Sequence, residues 1–280
     1  MKEINVSEII KAVRKLCIDA NYYLGDDVKN ALINARDKEE WSIAQGILDK
    51  IIANAEIAEN EDMPMCQDTG MACVFVELGQ DVHIVGGNLE DAINEGIRRG
   101  YGDGFLRKSV VKDPLDRVNT KDNTPGVIYY NVVPGDKLKI TVAPKGFGSE
   151  NMSQLKMLKP SDGLQGVKDF VLKVVKEAGP NPCPPIIVGV GVGGTFDKAA
   201  NLAKKALIRP VEIRNSNPFY AELEEELLEL INKLGIGPQG FGGRSTALAV
   251  NIESYPTHIA GLPVAVNINC HATRHAEVEL

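Results

Sequence analysis

Three of the five cysteines in this 280-residue chain fall where the backbone cannot run as ordinary helix or strand. Cys66 sits in Pro64-Met65-Cys66-Gln67-Asp68-Thr69-Gly70, and Cys183 in Pro180-Asn181-Pro182-Cys183-Pro184-Pro185. Cys270 sits in Asn267-Ile268-Asn269-Cys270-His271-Ala272-Thr273-Arg274. A cysteine that only packs prefers the inside of a regular element, where it acts as a small hydrophobe. Bends expose sulfur, so the fold has to carry three accessible thiols on three distant loops. Three exposed thiols can converge on a metal. Cys17 and Cys73 read differently. Cys17 follows Ile9, Ile10, Val13 and Leu16 in helical spacing, and Cys73 lies in the run Ala72-Cys73-Val74-Phe75-Val76. Both are expected in the core.

Hydrophobic residues make up 44% and charged residues 25% of the chain, the balance of a globular protein with a real core. The net charge of -7, without any long Lys/Arg cluster, argues against a nucleic-acid partner. The N-terminus lacks an apolar core of signal-peptide length, and no stretch approaches the ~20 apolar residues of a membrane span. The expectation is a cytoplasmic protein with no membrane contact. Structural disulfides are rare there, so metal binding or catalysis explains loop cysteines better.

The periodicity predicts an α+β fold, with a helical N-terminal region followed by a mixed sheet with packed helices. We read 1–280 as a single domain, helical over 1–62 and α+β over 63–280. Ser7 is expected to cap the first helix and Asp26 or Asp27 the second. A third helical pattern covers about 38–58 and stops at Glu61-Asp62-Met63-Pro64. Strand 72–78 and helix 89–99 follow. Val127–Val133 and Lys137–Val142 read as a hairpin around Pro134-Gly135-Asp136, the second strand half wet because Lys139 and Thr141 alternate with Leu138, Ile140 and Val142. Helices are expected over 163–178, 196–207 and 219–234, and strands over 186–190, 246–252 and 263–268. Helix and strand interleave without regular βαβ order, which favours α+β over a doubly wound sheet.

Gly189-Val190-Gly191-Val192-Gly193-Gly194 matches the dinucleotide fingerprint, with Glu212 at a suitable distance beyond. An NAD-dependent dehydrogenase is therefore one reading. Against it, the motif starts late, is entered through prolines and lacks surrounding strand–helix units. The plain alternative is a glycine turn that packs a helix tightly onto a sheet. Two further loops, Lys145-Gly146-Phe147-Gly148-Ser149-Glu150-Asn151 and Gly240-Phe241-Gly242-Gly243-Arg244-Ser245-Thr246, place flexible backbone beside a cation and a hydroxyl. With Arg107 and Arg274 they suit a small dicarboxylate better than a nucleotide.

Structural zinc fills four positions, usually from paired C-x₂₋₄-C ligands, and no such pair exists here. An electron-transfer cubane normally takes four cysteines, so three would leave one iron open. An open iron is a Lewis acid for a hydroxyl and a carboxylate. Removing water from a hydroxy acid also needs a base for the adjacent carbon and cations for the carboxylates. Spacing alone leaves a mononuclear metal site as an alternative.

Met65-Cys66-Gln67-Asp68-Thr69-Gly70, Gly146-Phe147-Gly148-Ser149-Glu150-Asn151, Cys183-Pro184-Pro185, Gly235-Ile236-Gly237-Pro238-Gln239-Gly240-Phe241-Gly242-Gly243 and Asn269-Cys270-His271-Ala272-Thr273-Arg274 resemble class I fumarate hydratase, in order along nearly the whole chain. More closely, the chain is similar to the alpha subunit of the two-subunit form, or of L-tartrate dehydratase. The resemblance implies a hydro-lyase with a [4Fe-4S] cluster on Cys66, Cys183 and Cys270, one iron open. It implies that Gln67 and Asp68 contact substrate, with Asp68 catalytic, sharing proton transfer with a residue outside the chain. It assigns Arg107 to a carboxylate, Gly148 to the substrate loop and His258 to the active site. Phe147 stands where the family often has a third glycine. The implied partner is a separate beta subunit that completes the site, in a higher-order oligomer such as a dimer of alpha-beta pairs. The expected reaction is reversible hydration of fumarate to (S)-malate; tartrate dehydration to oxaloacetate is the alternative.

Overall fold

The computed structural model describes residues 2–280. Strand β1 (Lys2–Asn5) leads into helices α1 (Val6–Tyr22), α2 (Asp26–Lys38) and α3 (Ser42–Asn60). Strands β2 (Met71–Gly79) and β3 (Val82–Val85), helix α4 (Leu89–Asp103) and strands β4 (Val127–Val133) and β5 (Leu138–Lys145) follow. A single turn, α5 (Phe147–Glu150), precedes β6 (Gln154–Leu158), α6 (Gly163–Ala178), β7 (Ile186–Gly193) and α7 (Phe196–Ala206). Then come α8 (Pro218–Asn232), β8 (Ala247–Tyr255), β9 (Leu262–Asn269) and β10 (Ala276–Glu279). This is the expected α+β fold. Among the described residues no helix is long and apolar enough to cross a membrane.

The helical N-terminal region forms as the periodicity predicts, with different caps. Asn5, not Ser7, caps α1: its side chain accepts from Ser7 N at 2.9 Å. Gly25 precedes α2, so Asp26 and Asp27 fall in its first turn, where carboxylates meet the positive end of the helix dipole.

The contacts divide the chain into two compact units. The first comprises Met1–Leu24, Ala55–Phe147 and Arg274–Leu280. Its four-stranded sheet has the order β10-β5-β2-β4, with β2 parallel to β4 and antiparallel to β5. The expected hairpin is therefore absent. Pro134-Gly135-Asp136 turns the chain, but β2 lies between the two strands. Its far end plugs the gap, with Gly79 N donating to Lys137 O and Gln80 N to Val133 O, each at 2.8 Å. The turn signal is local, whereas pairing is decided across the whole sheet, and the largely apolar β2 bonds along both of its edges. Thr141 is buried rather than wet because β10, which no sequence pattern marked, pairs alongside it. Helix α1 packs on α4 at very short range. A Cβ on Gly96 would stand 2.6 Å from Val13 Cβ, and one on Gly100 2.7 Å from Cys17 Cβ. Cys17 and Cys73 are both buried, as expected.

The second unit comprises Gly25–Asn54 and Gly148–Thr273. Its sheet has the order β6-β9-β7-β8, with β7 parallel to β8 and antiparallel to β9. Alternation along β7 divides its two faces. Ile186, Val188 and Val190 join the core built with Val171, Val174, Leu227 and Ile231 of α6 and α8. Gly189 and Gly191 point at α7, where a Cβ would meet Ala203 O at 2.2 Å and Ala199 O at 2.1 Å. Strand β7 thus runs on to Gly193, past the expected end at Val190. The first two glycines of the fingerprint serve helix-on-sheet packing inside a strand, not a phosphate-binding turn.

Candidate active site

In the first unit the loop between α3 and β2 carries Cys66, Gln67 and Asp68. Cys66 and Asp68 are half-buried and Gln67 is exposed. Backbone groups hold both Asp68 carboxylate oxygens: Gly70 N donates to Oδ1 at 3.0 Å and Phe147 N to Oδ2 at 2.8 Å. The Phe147 contribution is a main-chain N–H, which any residue but proline supplies, so a phenylalanine serves there as well as the glycine common in the resembling family. A Cβ on Gly146 would lie 3.2 Å from Asp68 Oδ2, close enough to press on the anchored carboxylate. Thr69 Oγ1 donates to Arg107 O at 3.1 Å, which ties the exposed Arg107 to this loop. The Arg107 guanidinium has no ion-pair partner among the described residues, so it is available to an incoming carboxylate.

Arg274 and three residues that the sequence left without a site role fix the loop from behind. The Tyr101 hydroxyl, fully buried, donates to Thr69 O at 2.8 Å. Asn123 Nδ2 donates to Gly70 O at 3.1 Å while its Oδ1 accepts from Ser109 N at 2.7 Å. Arg274 Nη2 donates to Asp68 O at 2.6 Å, and its Nε to Asn21 Oδ1 at 3.2 Å. Arg274 is only 6% exposed. Its expected part as a carboxylate binder is replaced by one as an internal strut. Asn21 in an amphipathic helix and Tyr101 in a helical stripe give no local sign of such work. Asn123, in the left-handed region at φ 62, is the one whose residue type hints at a special bend.

In the second unit the fold draws Cys183 and Cys270 to one end of the sheet. Cys183 lies three residues before the start of β7, Cys270 immediately follows β9, and Ile187 pairs with Asn269. His271 N donates to Cys183 O at 3.3 Å, which links the two loops through their backbones. Cys183 itself adopts φ 55, a bend that exposes its side chain. Gln239 braces the same loop, with its backbone N 2.8 Å and its Nε2 2.9 Å from Pro184 O. Gly240 packs so close to Pro180 that a Cβ would stand 2.4 Å from the proline Cβ. At Gly148 an added Cβ would meet only an ordinary contact, with Asn181 O at 3.8 Å.

The second glycine loop already holds an anion, and it is the protein's own. Arg244 N donates to Glu39 Oε2 at 2.8 Å, Gly243 lies against the same carboxylate, and the Arg244 guanidinium meets Glu40 at 2.7 Å. The expected external ligand at this loop gives way to buried Glu39. His258 is also separate from Cys183 and Cys270. It follows β8, which runs parallel to β7, and so lies past the opposite end of the sheet from Cys183 and Cys270. Eight strand residues put roughly 25 Å between those ends. There His258 is exposed and lines a shallow cleft with Lys198, Tyr255 and Thr257.

Among the described residues no group of three His, Cys, Asp or Glu side chains is arranged to hold a single metal ion. The donor chemistry nevertheless suits a cubane cluster, whose thiolates each bind a different iron and need not converge as ligands of one ion do. All five cysteines are free of disulfides. The three on loops are half-buried or exposed, while burial pushes the Cys17 thiol up to about 12, where it stays protonated. Cys66 on the first unit, and Cys183 and Cys270 on the second, are thus the cysteines that the fold leaves outside the buried core.

The anchored carboxylate of Asp68 and the exposed Arg107 on the first unit are groups that an enzyme adding or removing water, a hydro-lyase, can use. The chain belongs to the fumarate hydratase (fumerase) family, whose profile matches residues 10–279. A Methanocaldococcus jannaschii protein provisionally named L(+)-tartrate dehydratase subunit alpha is 46% identical over 277 residues, covering 96% of each chain. The L(+)-tartrate dehydratase subunit alpha of Escherichia coli strain UTI89 is 34% identical over 283 residues, covering all of this chain and 93% of that one. Its counterpart in Escherichia coli O157:H7 is 35% identical over 277 residues, covering 98% and 91%.

Proposed function

We propose that the chain is the alpha subunit of an iron-sulfur L(+)-tartrate dehydratase, completed by a beta subunit. The names of full-length relatives favour tartrate over the fumarate reading first drawn from the motifs. The observation that carries the chemistry is the loop on which Cys66, Gln67 and a doubly anchored Asp68 stand, with Thr69 of the same loop bonded to the backbone of the exposed Arg107. Cys66, Cys183 and Cys270 would hold a [4Fe-4S] cluster. When bound, that group supplies a Lewis-acidic iron for the substrate's departing hydroxyl and neighbouring carboxylate.

The chain's residues supply the rest. Arg107 pairs with a substrate carboxylate, and the exposed Gln67 amide bonds a carboxylate or hydroxyl oxygen. Asp68 shares proton transfer with a beta-subunit residue. One of the two takes the proton from the carbon beside the departing hydroxyl, and the hydroxide leaves as water after gaining a proton. The enol that remains rearranges to oxaloacetate, so tartrate yields oxaloacetate and one water. The backbone donors on both Asp68 oxygens fix its direction before substrate arrives. Gly148 leaves room for the substrate. His258 lies too far from Cys183 within its own unit to share their substrate, so a role there requires a second copy of the chain, as in a dimer of alpha-beta pairs.

Reversible hydration of fumarate is the second reading, favoured by the name of the family. Anaerobic assay of the reconstituted alpha-beta complex on L-tartrate and on (S)-malate separates them. A higher kcat/KM on tartrate is expected. Preference for malate replaces the first reading with the second, and turnover of neither overturns both.

A further inference from the structure

A cavity of about 590 Å³ in the second unit plays no part in the chemistry above. One wall is α2, whose Asn30, Asn34 and Lys38 recur every fourth residue and so form a single stripe. Ala31 and Ala35 beside them leave room. The facing wall is the segment before α8, with Glu212 and Arg214, and Ser245 lies at one side. Arg214 Nη1 is buried without a hydrogen-bond partner. Lys38 makes no ion pair among the described residues. Buried donors are satisfied in native proteins as a rule, so a guanidinium that lines a cavity and keeps one N–H without an acceptor inside the chain is suited to an anion from outside it.

The remaining charges are accounted for. Arg244 is balanced by Glu40. Asp27 Oδ2 accepts from Val211 N at 3.1 Å, and Glu212 is exposed at the rim. We infer that the cavity binds a small hydroxylated anion, its carboxylate or phosphate held by Arg214 and Lys38 and its hydroxyls by Glu212 and the two asparagine amides. The size suits a ligand of metabolite dimensions. The cavity also touches the loop that braces Cys183. Arg244 and Ser245 line it, and the same loop carries Gln239, which grips Pro184 O. Occupancy is thereby placed to bias the geometry of the Cys183 loop, and by linkage a change at Cys183 alters anion affinity equally.

The chain's single tryptophan, Trp41, three residues beyond Lys38, is a local reporter. Its fluorescence is followed in the alpha-beta complex during separate titrations with inorganic phosphate and with L-tartrate, in wild type and in Cys183→Ala. The second background removes a proposed cluster ligand, so binding is read apart from turnover. A saturable change is expected in both, weakened about tenfold or more in Arg214→Gln and in Lys38→Gln. Arg214→Lys, with circular dichroism unchanged, controls for folding and should retain part of the affinity. Saturation by phosphate alone identifies a phosphorylated ligand, and saturation by tartrate alone the enzyme's own class of hydroxy acid. No saturation by either, a response unchanged in Arg214→Gln, or binding seen in the isolated chain and lost on adding the beta subunit overturns the inference.

Discussion

The guanidinium of Arg274 donates to the backbone carbonyl of Asp68 at 2.6 Å, so a buried cation fixes the peptide that carries the proposed proton-transfer residue. The strut continues inward: Arg274 Nε bonds Asn21 Oδ1, and Asn21 Nδ2 donates to Cys17 O at 2.9 Å within α1. The loop that presents Cys66 is thus referenced to a rigid helix. Two bonds in different directions require the fork of an arginine, which a lysine ammonium cannot copy. Arg274→Lys is expected to cost about 1–3 kcal/mol in urea unfolding. It should lower kcat more than it raises KM, because the strut touches no substrate. An unchanged kcat with a raised KM would instead return Arg274 to the substrate.

Gln239 does the equivalent work for Cys183 through a single carbonyl, Pro184 O, which accepts from both its backbone and its side chain. Gln239→Ala keeps the backbone bond and loses the amide. The expected result is faster loss of iron on exposure to air, followed by absorption of the anaerobically loaded protein. Stability in urea should change by no more than about 1 kcal/mol. Equal rates of iron loss would show that the side chain does not brace the thiol.

Most of the regular structure was legible because it is written in local periodicity. Helix α6 and strands β2, β8 and β9 lie within a few residues of where alternation and helical spacing put them. The hairpin failed because pairing partners are chosen by burial across the whole sheet. The short edge strands β1, β3, β6 and β10 carry too little pattern to declare themselves. At the site, the thiols stood out because proline and polar neighbours exclude regular backbone around them. Arg274 and the loop ending at Thr246 were misread as ligand binders, since a cation beside glycines looks the same whether its acceptor is a substrate, a main-chain carbonyl or an internal carboxylate such as Glu39. Asn21 and Tyr101 act through contacts more than thirty residues away, and no spacing rule reports those.

The glycine run in β7 offers a direct contest between packing and cofactor binding. A Cβ at Gly191 would stand 2.1 Å from Ala199 O, a main-chain atom that cannot swing aside. Gly191→Ala should therefore lower stability by about 1–3 kcal/mol, read from the urea midpoint. The wild-type complex should show no calorimetric heat with NAD. Saturable NAD binding, abolished in a stably folded Gly191→Ala, would revive the dehydrogenase reading.

Burial raises the Cys17 thiol from its ordinary 9.0 to about 12. Between those values the unfolded chain releases this proton while the folded chain keeps it. The contribution of Cys17 is full below about pH 9 and is lost as pH rises toward 12, with a slope of at most about 1.4 kcal/mol per pH unit. Urea unfolding at a series of pH values should show that decline in wild type and a shallower one in Cys17→Ala. Identical slopes would mean that other groups govern the alkaline limit.

The five cysteines together give the broadest test, because the structure sorts them into two kinds. Cys66, Cys183 and Cys270 stand on bends with accessible sulfur, whereas Cys17 and Cys73 are sealed in the first unit. In the iron-free protein at pH 8 a maleimide should label the first three and reach the other two only in denaturant, since access favours the loops. Loading with iron and sulfide under anaerobic conditions should then protect all three loop thiols together. Alanine at 66, 183 or 270 should abolish the absorption of the loaded cluster. Alanine at 17 or 73 should leave the cluster intact and lower stability through a lost contact in the core. Protection of only two loop thiols, or cluster loss on changing Cys17, would break the proposed ligand set, and with it the open iron on which the dehydratase chemistry depends.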